Sequence, residues 1–176
     1  DGLITLNQIG SHGPSFCKRY PDEFRKFTPT CDTNTIKDCD TQSLINTYDN
    51  TILYTDYILS RVVDILKENE DKFNTAMLYI SDHGESLGES GIFLPATPYV
   101  VAPSEQLNIP MIMWFSQGYI AGFARAKSCV VKQTSEVDFS QDTLFPSPPW
   151  LMDIQTDLSD SRQDIPQQSR TQSSHY

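Results

Sequence analysis

The sequence predicts an α/β fold with a mostly parallel sheet, and three observations carry that expectation. Ala76–Ile80 is an apolar run of strand length that empties into Ser81-Asp82-His83-Gly84. Leu3–Ile9 is a second such run, and it empties into Gly10-Ser11-His12-Gly13-Pro14. Between them lies a segment with helical apolar spacing, so that strand, helix and strand form a crossover unit, which favours parallel strands.

Taken in order, Leu3–Ile9 is the first expected strand. Asp40 or Thr41 is positioned to cap a long helix in which Leu44, Ile45, Tyr48, Ile52, Ile58, Val62, Ile65 and Leu66 recur at helical spacing. Those apolar residues are expected to face the core, and the charged run Lys67–Lys72 closes the helix. Ala76–Ile80 follows as a strand. Residues Glu89–Gln106, with glycine and three prolines, are expected to form a loop over the site. Met111–Phe115 is a further strand behind Pro110, with Met113, Trp114 and Phe115 expected in packing. Pro146, Pro148 and Pro149 then break the pattern, and the segment from Ser159 is polar enough to be expected disordered.

Composition narrows the function classes. The 176 residues are 38% hydrophobic and 11% aromatic, sufficient for a buried core. A net charge of -10 argues against nucleic acid and against docking on an anionic membrane face, both of which need clustered Lys and Arg. No apolar run approaches the roughly 18 residues that span a bilayer.

Chemistry concentrates at the two strand ends, where ligands of open α/β sheets bind. An aspartate and a histidine side by side, Asp82 and His83, are good donors for a divalent ion, but they are only half of a tetrahedral set. Asp, His and Gly are also ordinary turn residues, so a solvated loop is the competing explanation. His12 strengthens the site, because two of the three histidines sit in the same strand-then-glycine context. His175 lies in the polar tail and is expected to be solvated. Glu85 and Glu89 are explained equally well as a solvated loop face and stay outside the catalytic set.

Several long runs resemble one family. They are LITLNQIGSHGP (Leu3–Pro14), RYPDEFRKFTPTCDTN (Arg19–Asn34), NTYDNTILYTDYIL (Asn46–Leu59) and LYISDHGESLGESGIFL (Leu78–Leu94), with shorter matches at Ile109–Phe115, Phe139–Phe145 and Leu151–Asp157. The sequence is similar to the later part of the catalytic domain of the lipid A phosphoethanolamine transferases. These are bacterial inner-membrane enzymes of the sulfatase and alkaline phosphatase superfamily, associated with polymyxin resistance. The resemblance implies a sulfatase-like three-layer fold, incomplete in this chain, with residues 1–158 as a partial catalytic domain and 159–176 as a tail.

The resemblance also implies an activity. Phosphoethanolamine would move from phosphatidylethanolamine to a threonine, and from there to a phosphate of lipid A, at the periplasmic face of the inner membrane. Zinc would be the cofactor, with Asp82 and His83 among its ligands, and His12 would serve as a catalytic and substrate-binding residue. In the family the threonine nucleophile and a glutamate ligand lie upstream of the matched segment, and Thr28, Thr30 and Thr33 do not stand in that context. This chain alone is therefore expected to be inactive. Where the family has a histidine and glycine after Gly-Ile-Phe-Leu, this chain has Pro95 and Ala96. Proline has no side-chain donor, acceptor or charge. The alternatives are a sulfatase or phosphatase of the same superfamily, or a non-catalytic remnant or binding module.

Of the four cysteines, Cys31 and Cys39 enclose the polar loop CDTNTIKDC. The family carries a disulfide here, as suits an oxidising compartment. A zinc site is the competing use of the pair, weakened by seven intervening residues and the lack of a nearby histidine. Cys17 and Cys129 are expected to be free thiols or to pair outside this chain.

Overall fold

The computed structural model describes residues 2–91 and 102–122. Pro95, Ala96, Cys129, the proline-rich stretch from Pro146, the tail and His175 lie outside the described residues. The chain divides into two compact units. Among the described residues, one is 4–65 with 78–91 and 102–112; the other is 66–77 and 113–122 with 2–3.

The first unit is organised by helix α1, Thr41–Lys67. Asp40 is its cap: Oδ1 accepts the Ser43 N–H at 2.9 Å and Oδ2 accepts the Ser43 hydroxyl at 2.5 Å. These bonds from Ser43 hold the Asp40 carboxyl below its ordinary value. A depressed carboxyl contributes stability that is complete above the ordinary aspartate value of about 3.9 and is lost as pH falls through the lower folded value. Asp40→Asn keeps an acceptor for the Ser43 N–H but cannot titrate. In melts between neutral pH and about pH 2, the unmodified chain is expected to lose more stability than Asp40→Asn; equal losses would show that the cap is not linked to pH.

The helix corrects the expected core. Leu44 is buried, but Ile52 and Ile65 are exposed, and the buried face carries Ser43, Asn46, Thr47, Asn50, Thr51 and Thr55. The reason is the neighbouring segment, an irregular stretch whose backbone groups need partners. Asn50 Oδ1 accepts the Lys26 and Phe27 N–H groups at 2.8 and 2.9 Å, and its Nδ2 donates to the Phe27 carbonyl at 2.9 Å. Thr47 Oγ1 accepts the Cys31 N–H at 2.7 Å, and Asn46 Nδ2 donates to the Pro29 carbonyl at 2.9 Å. The helix thus clamps residues 26–31 through side-chain hydrogen bonds.

The apolar core of this unit is small: Phe16, Cys31, Ile36 and Leu44, with Cys39, Tyr48 and Leu87 packed against it. Cys31 and Cys39 form the disulfide, with Cα atoms 5.7 Å apart, so the pair is not a metal site. Closing a loop of this length contributes about 2.5 kcal/mol on the chain-entropy relation. Cys17 is a free thiol.

Strands β1, Ala76–Ile80, and β2, Met111–Phe115, form a two-stranded sheet. Their ends pair Ser81 N–H with the Pro110 carbonyl at 3.3 Å and Ser116 N–H with the Thr75 carbonyl at 2.9 Å, an antiparallel register. The expected strand at Leu3–Ile9 does not form among the described residues. Leu3, Ile4, Leu6 and Ile9 stand 65–85% exposed, and an extended run without a ladder partner is not a strand. The crossover to β1 therefore has no first member here. Within the expected loop before β2, Ser104–Leu107 makes one turn of helix, α2.

In the second unit, Ser116 is fully buried and ties the chain together. Its Oγ accepts the Thr75 N–H at 3.0 Å and the Tyr119 N–H at 3.2 Å, capping the short helix α3, Gln117–Gly122. Thr75 Oγ1 donates to the Leu66 carbonyl at 3.3 Å, and the Phe115 and Tyr119 rings stack with centroids 5.1 Å apart. Met113, Trp114 and Phe115 are half-buried, in keeping with packing roles.

Candidate functional site

Two loops of the first unit meet. One is Gly10–Pro14, whose Gly10 adopts φ 56°, a left-handed backbone that favours glycine and turns the chain toward His12. The other is the turn that leaves β1 at Ser81. There the Gly84 N–H donates to the Gln106 carbonyl at 3.0 Å, and a Cβ on Gly84 would overlap the backbone carbonyl of Glu105. Only glycine permits that close approach, so Gly84 presses the Asp82-His83 turn against the start of α2.

The His12 and His83 rings lie edge to face, with centroids 5.3 Å apart and planes at 64°. Each ring is held by Nδ1. His83 Nδ1 bonds the Gly84 carbonyl at 2.8 Å, and His12 Nδ1 bonds Glu85 Oε1 at 3.0 Å. A carbonyl can only accept, so His83 donates from Nδ1 and keeps a lone pair on Nε2. The backbone of the same turn is pinned by Ser81 Oγ donating to the His83 carbonyl at 2.7 Å and by the His83 N–H donating to Asp82 Oδ1 at 3.1 Å. Arg19 Nε donates to the His12 carbonyl at 3.0 Å and steadies the other loop.

Glu85, which the sequence left outside the catalytic set because a solvated loop face explained it equally well, is buried, its side chain only 4% exposed. Oε1 also accepts the Gly13 N–H at 3.0 Å, while Oε2 is buried with no hydrogen-bond partner among the described residues. Beneath it Ser86 is fully buried, and its Oγ accepts from Gln106 Nε2 at 2.9 Å. Burial pushes the Tyr48 phenol up, and the Glu85 carboxylate adds to the shift. Burial likewise raises the Tyr79 phenol, with a smaller contribution from Asp82. One signal was available in the sequence: a histidine held for chemistry needs an acceptor on its second nitrogen, and Glu85 is the first carboxylate after the glycine turn. Glu89, by contrast, caps its own turn through Oε2 and the Leu87 N–H at 2.7 Å.

The structure thus brings His12 and His83 together, carries Asp82 alongside, and places Cys31 and Cys39 elsewhere as a staple. Among the described residues no group of three or more His, Cys, Asp or Glu side chains is arranged to hold an ion. Also among them, no helix is long and apolar enough to cross a membrane.

A family model described as "Sulfatase" matches residues 1–154. The chain belongs to the sulfatase family. Within that family it is 48% identical over 170 residues to the phosphoethanolamine transferase EptA of Salmonella typhimurium, covering 97% of this chain and 31% of that protein. Its structure is similar to the soluble domain of lipooligosaccharide phosphoethanolamine transferase A from Neisseria meningitidis, with a TM-score of 0.86 and 43% identity, over 91% of this chain and 48% of that one. It is also similar to the C-terminal periplasmic domain of phosphoethanolamine transferase EptC from Campylobacter jejuni, with a TM-score of 0.78 and 46% identity, over 89% of this chain and 48% of that one. The chain therefore spans about a third of the Salmonella relative and about half of each solved domain.

Proposed function

We propose that this chain is the later part of the catalytic domain of a zinc-dependent phosphoethanolamine transferase at the periplasmic face of the bacterial inner membrane. Phosphoethanolamine passes from phosphatidylethanolamine to a threonine and then to a phosphate of lipid A. The observation that carries this is the meeting of the SHGP and DHG loops with both imidazoles anchored through Nδ1, in a chain 43–48% identical to phosphoethanolamine transferases.

The donor set fits one side of a zinc site. Asp82 supplies a carboxylate and His83 a lone pair on Nε2, both suited to zinc. A threonine and a glutamate, as in the family's ligand set, would complete the four. Bound there, zinc would lower the pKa of a coordinated hydroxyl and would offset charge on the phosphoryl oxygens. The chain's own residues hold and orient: Gly84 sets the ligand turn, Ser81 fixes the His83 carbonyl, and His12 contacts the substrate phosphate from the opposite loop.

Zinc titration of the isolated chain at neutral pH tests the ligand assignment. With two of four ligands present, binding is expected to be weak, and Asp82→Ala or His83→Ala should lower it about tenfold or more. Tight binding that survives both substitutions would overturn the assignment.

A further inference from the structure

We propose that Glu85 is a positioning residue for His12: it fixes the imidazole in the tautomer that carries its proton on Nδ1, so that Nε2 is presented as a bare lone pair. Three observations carry this. His12 Nδ1 lies 3.0 Å from Glu85 Oε1, across 73 residues of sequence. The same oxygen accepts the Gly13 N–H at 3.0 Å, so one carboxylate oxygen sets both the ring and the backbone that bears it. The side chain is 4% exposed, and no hydrogen-bond partner among the described residues takes up its second oxygen.

Burying a carboxylate with half of its acceptors unused is costly, and among the described residues its side-chain bonds go to the His12 loop alone. A carboxylate accepts, so the imidazole donates from Nδ1. The arrangement matches the way an acid orients the base of a hydrolytic triad, where the carboxylate selects the tautomer and steadies the ring when it gains a second proton. His12 is thereby equipped to take a proton or a cation at Nε2 before it can donate there. Its meeting with substrate at Nε2 rests on the transferase reading; the tautomer does not.

The experiment is nitrogen NMR of the histidine side chains in this chain, without metal, at a pH of about 9, above the ordinary imidazole range. The expected pattern for His12 is a protonated Nδ1 and a bare Nε2. Glu85→Gln retains an oxygen acceptor and should preserve that pattern, whereas Glu85→Ala should move His12 toward the other tautomer. His83, held by the Gly84 carbonyl, should keep its own pattern in both variants and so reports that the turn is intact. A proton on Nε2 of His12 in the unmodified chain would overturn the proposal, and so would an unchanged His12 in an Ala variant whose His83 signals are native. Should Glu85→Ala fail to fold, the unmodified chain and the Gln variant decide alone: a bare Nε2 in both supports the proposal, and a proton on Nε2 in either refutes it. Tight zinc binding that survives Asp82→Ala and His83→Ala, or a folded chimera that gains no transferase activity when Pro95 and Ala96 are restored to histidine and glycine, would count against the transferase reading and leave these signals where they are.

Discussion

Replacing Pro95 and Ala96 by histidine and glycine, in a complete transferase carrying this segment in place of its own, is expected to raise phosphoethanolamine transfer by about two to four orders of magnitude. That is the range an imidazole contributes when it moves a proton in the transition state. Proline at this position supplies neither a donor nor an acceptor beyond its carbonyl. The measurement is the mass shift of lipid A from cells expressing each chimera, with protein levels matched. A folded double variant no more active than its parent would favour the reading of this segment as a non-catalytic remnant.

The second large effect is structural. Asn50→Ala is expected to cost about 3 kcal/mol in denaturant unfolding, because one fully buried side chain serves three backbone groups, Lys26 N–H, Phe27 N–H and the Phe27 carbonyl. Asn50→Asp retains the acceptor for both N–H groups but turns an oxygen toward the Phe27 carbonyl, so it should fail to restore stability. A loss below about 0.5 kcal/mol in the Ala variant would mean that water replaces the clamp at no cost.

What could be seen from the sequence depended on how local the signal was. Helix α1 and strands β1 and β2 follow from spacing within a few residues, and the Asp40 cap sits next to the helix it starts. The glycine turns at Gly10 and Gly84 pointed to His12 and His83 for the same reason. The polar face of α1 was invisible because its partners, Lys26 to Cys31, are some 16–24 residues away and bond through backbone atoms that no side-chain pattern reports. Glu85 was missed on the same ground, since its partner is 73 residues distant. Leu3–Ile9 has the composition of a strand, but strand formation depends on a neighbour, and none pairs with it among the described residues.

The α1 clamp has a thermal consequence. Exposing apolar surface raises heat capacity, whereas exposing polar surface lowers it. A helix that buries Ser43, Asn46, Thr47, Asn50, Thr51 and Thr55 while leaving Ile52 and Ile65 in water will unfold with a smaller heat-capacity increment than its length suggests. The stability curve of this unit should accordingly be broad and shallow, with little to gain or lose on cooling.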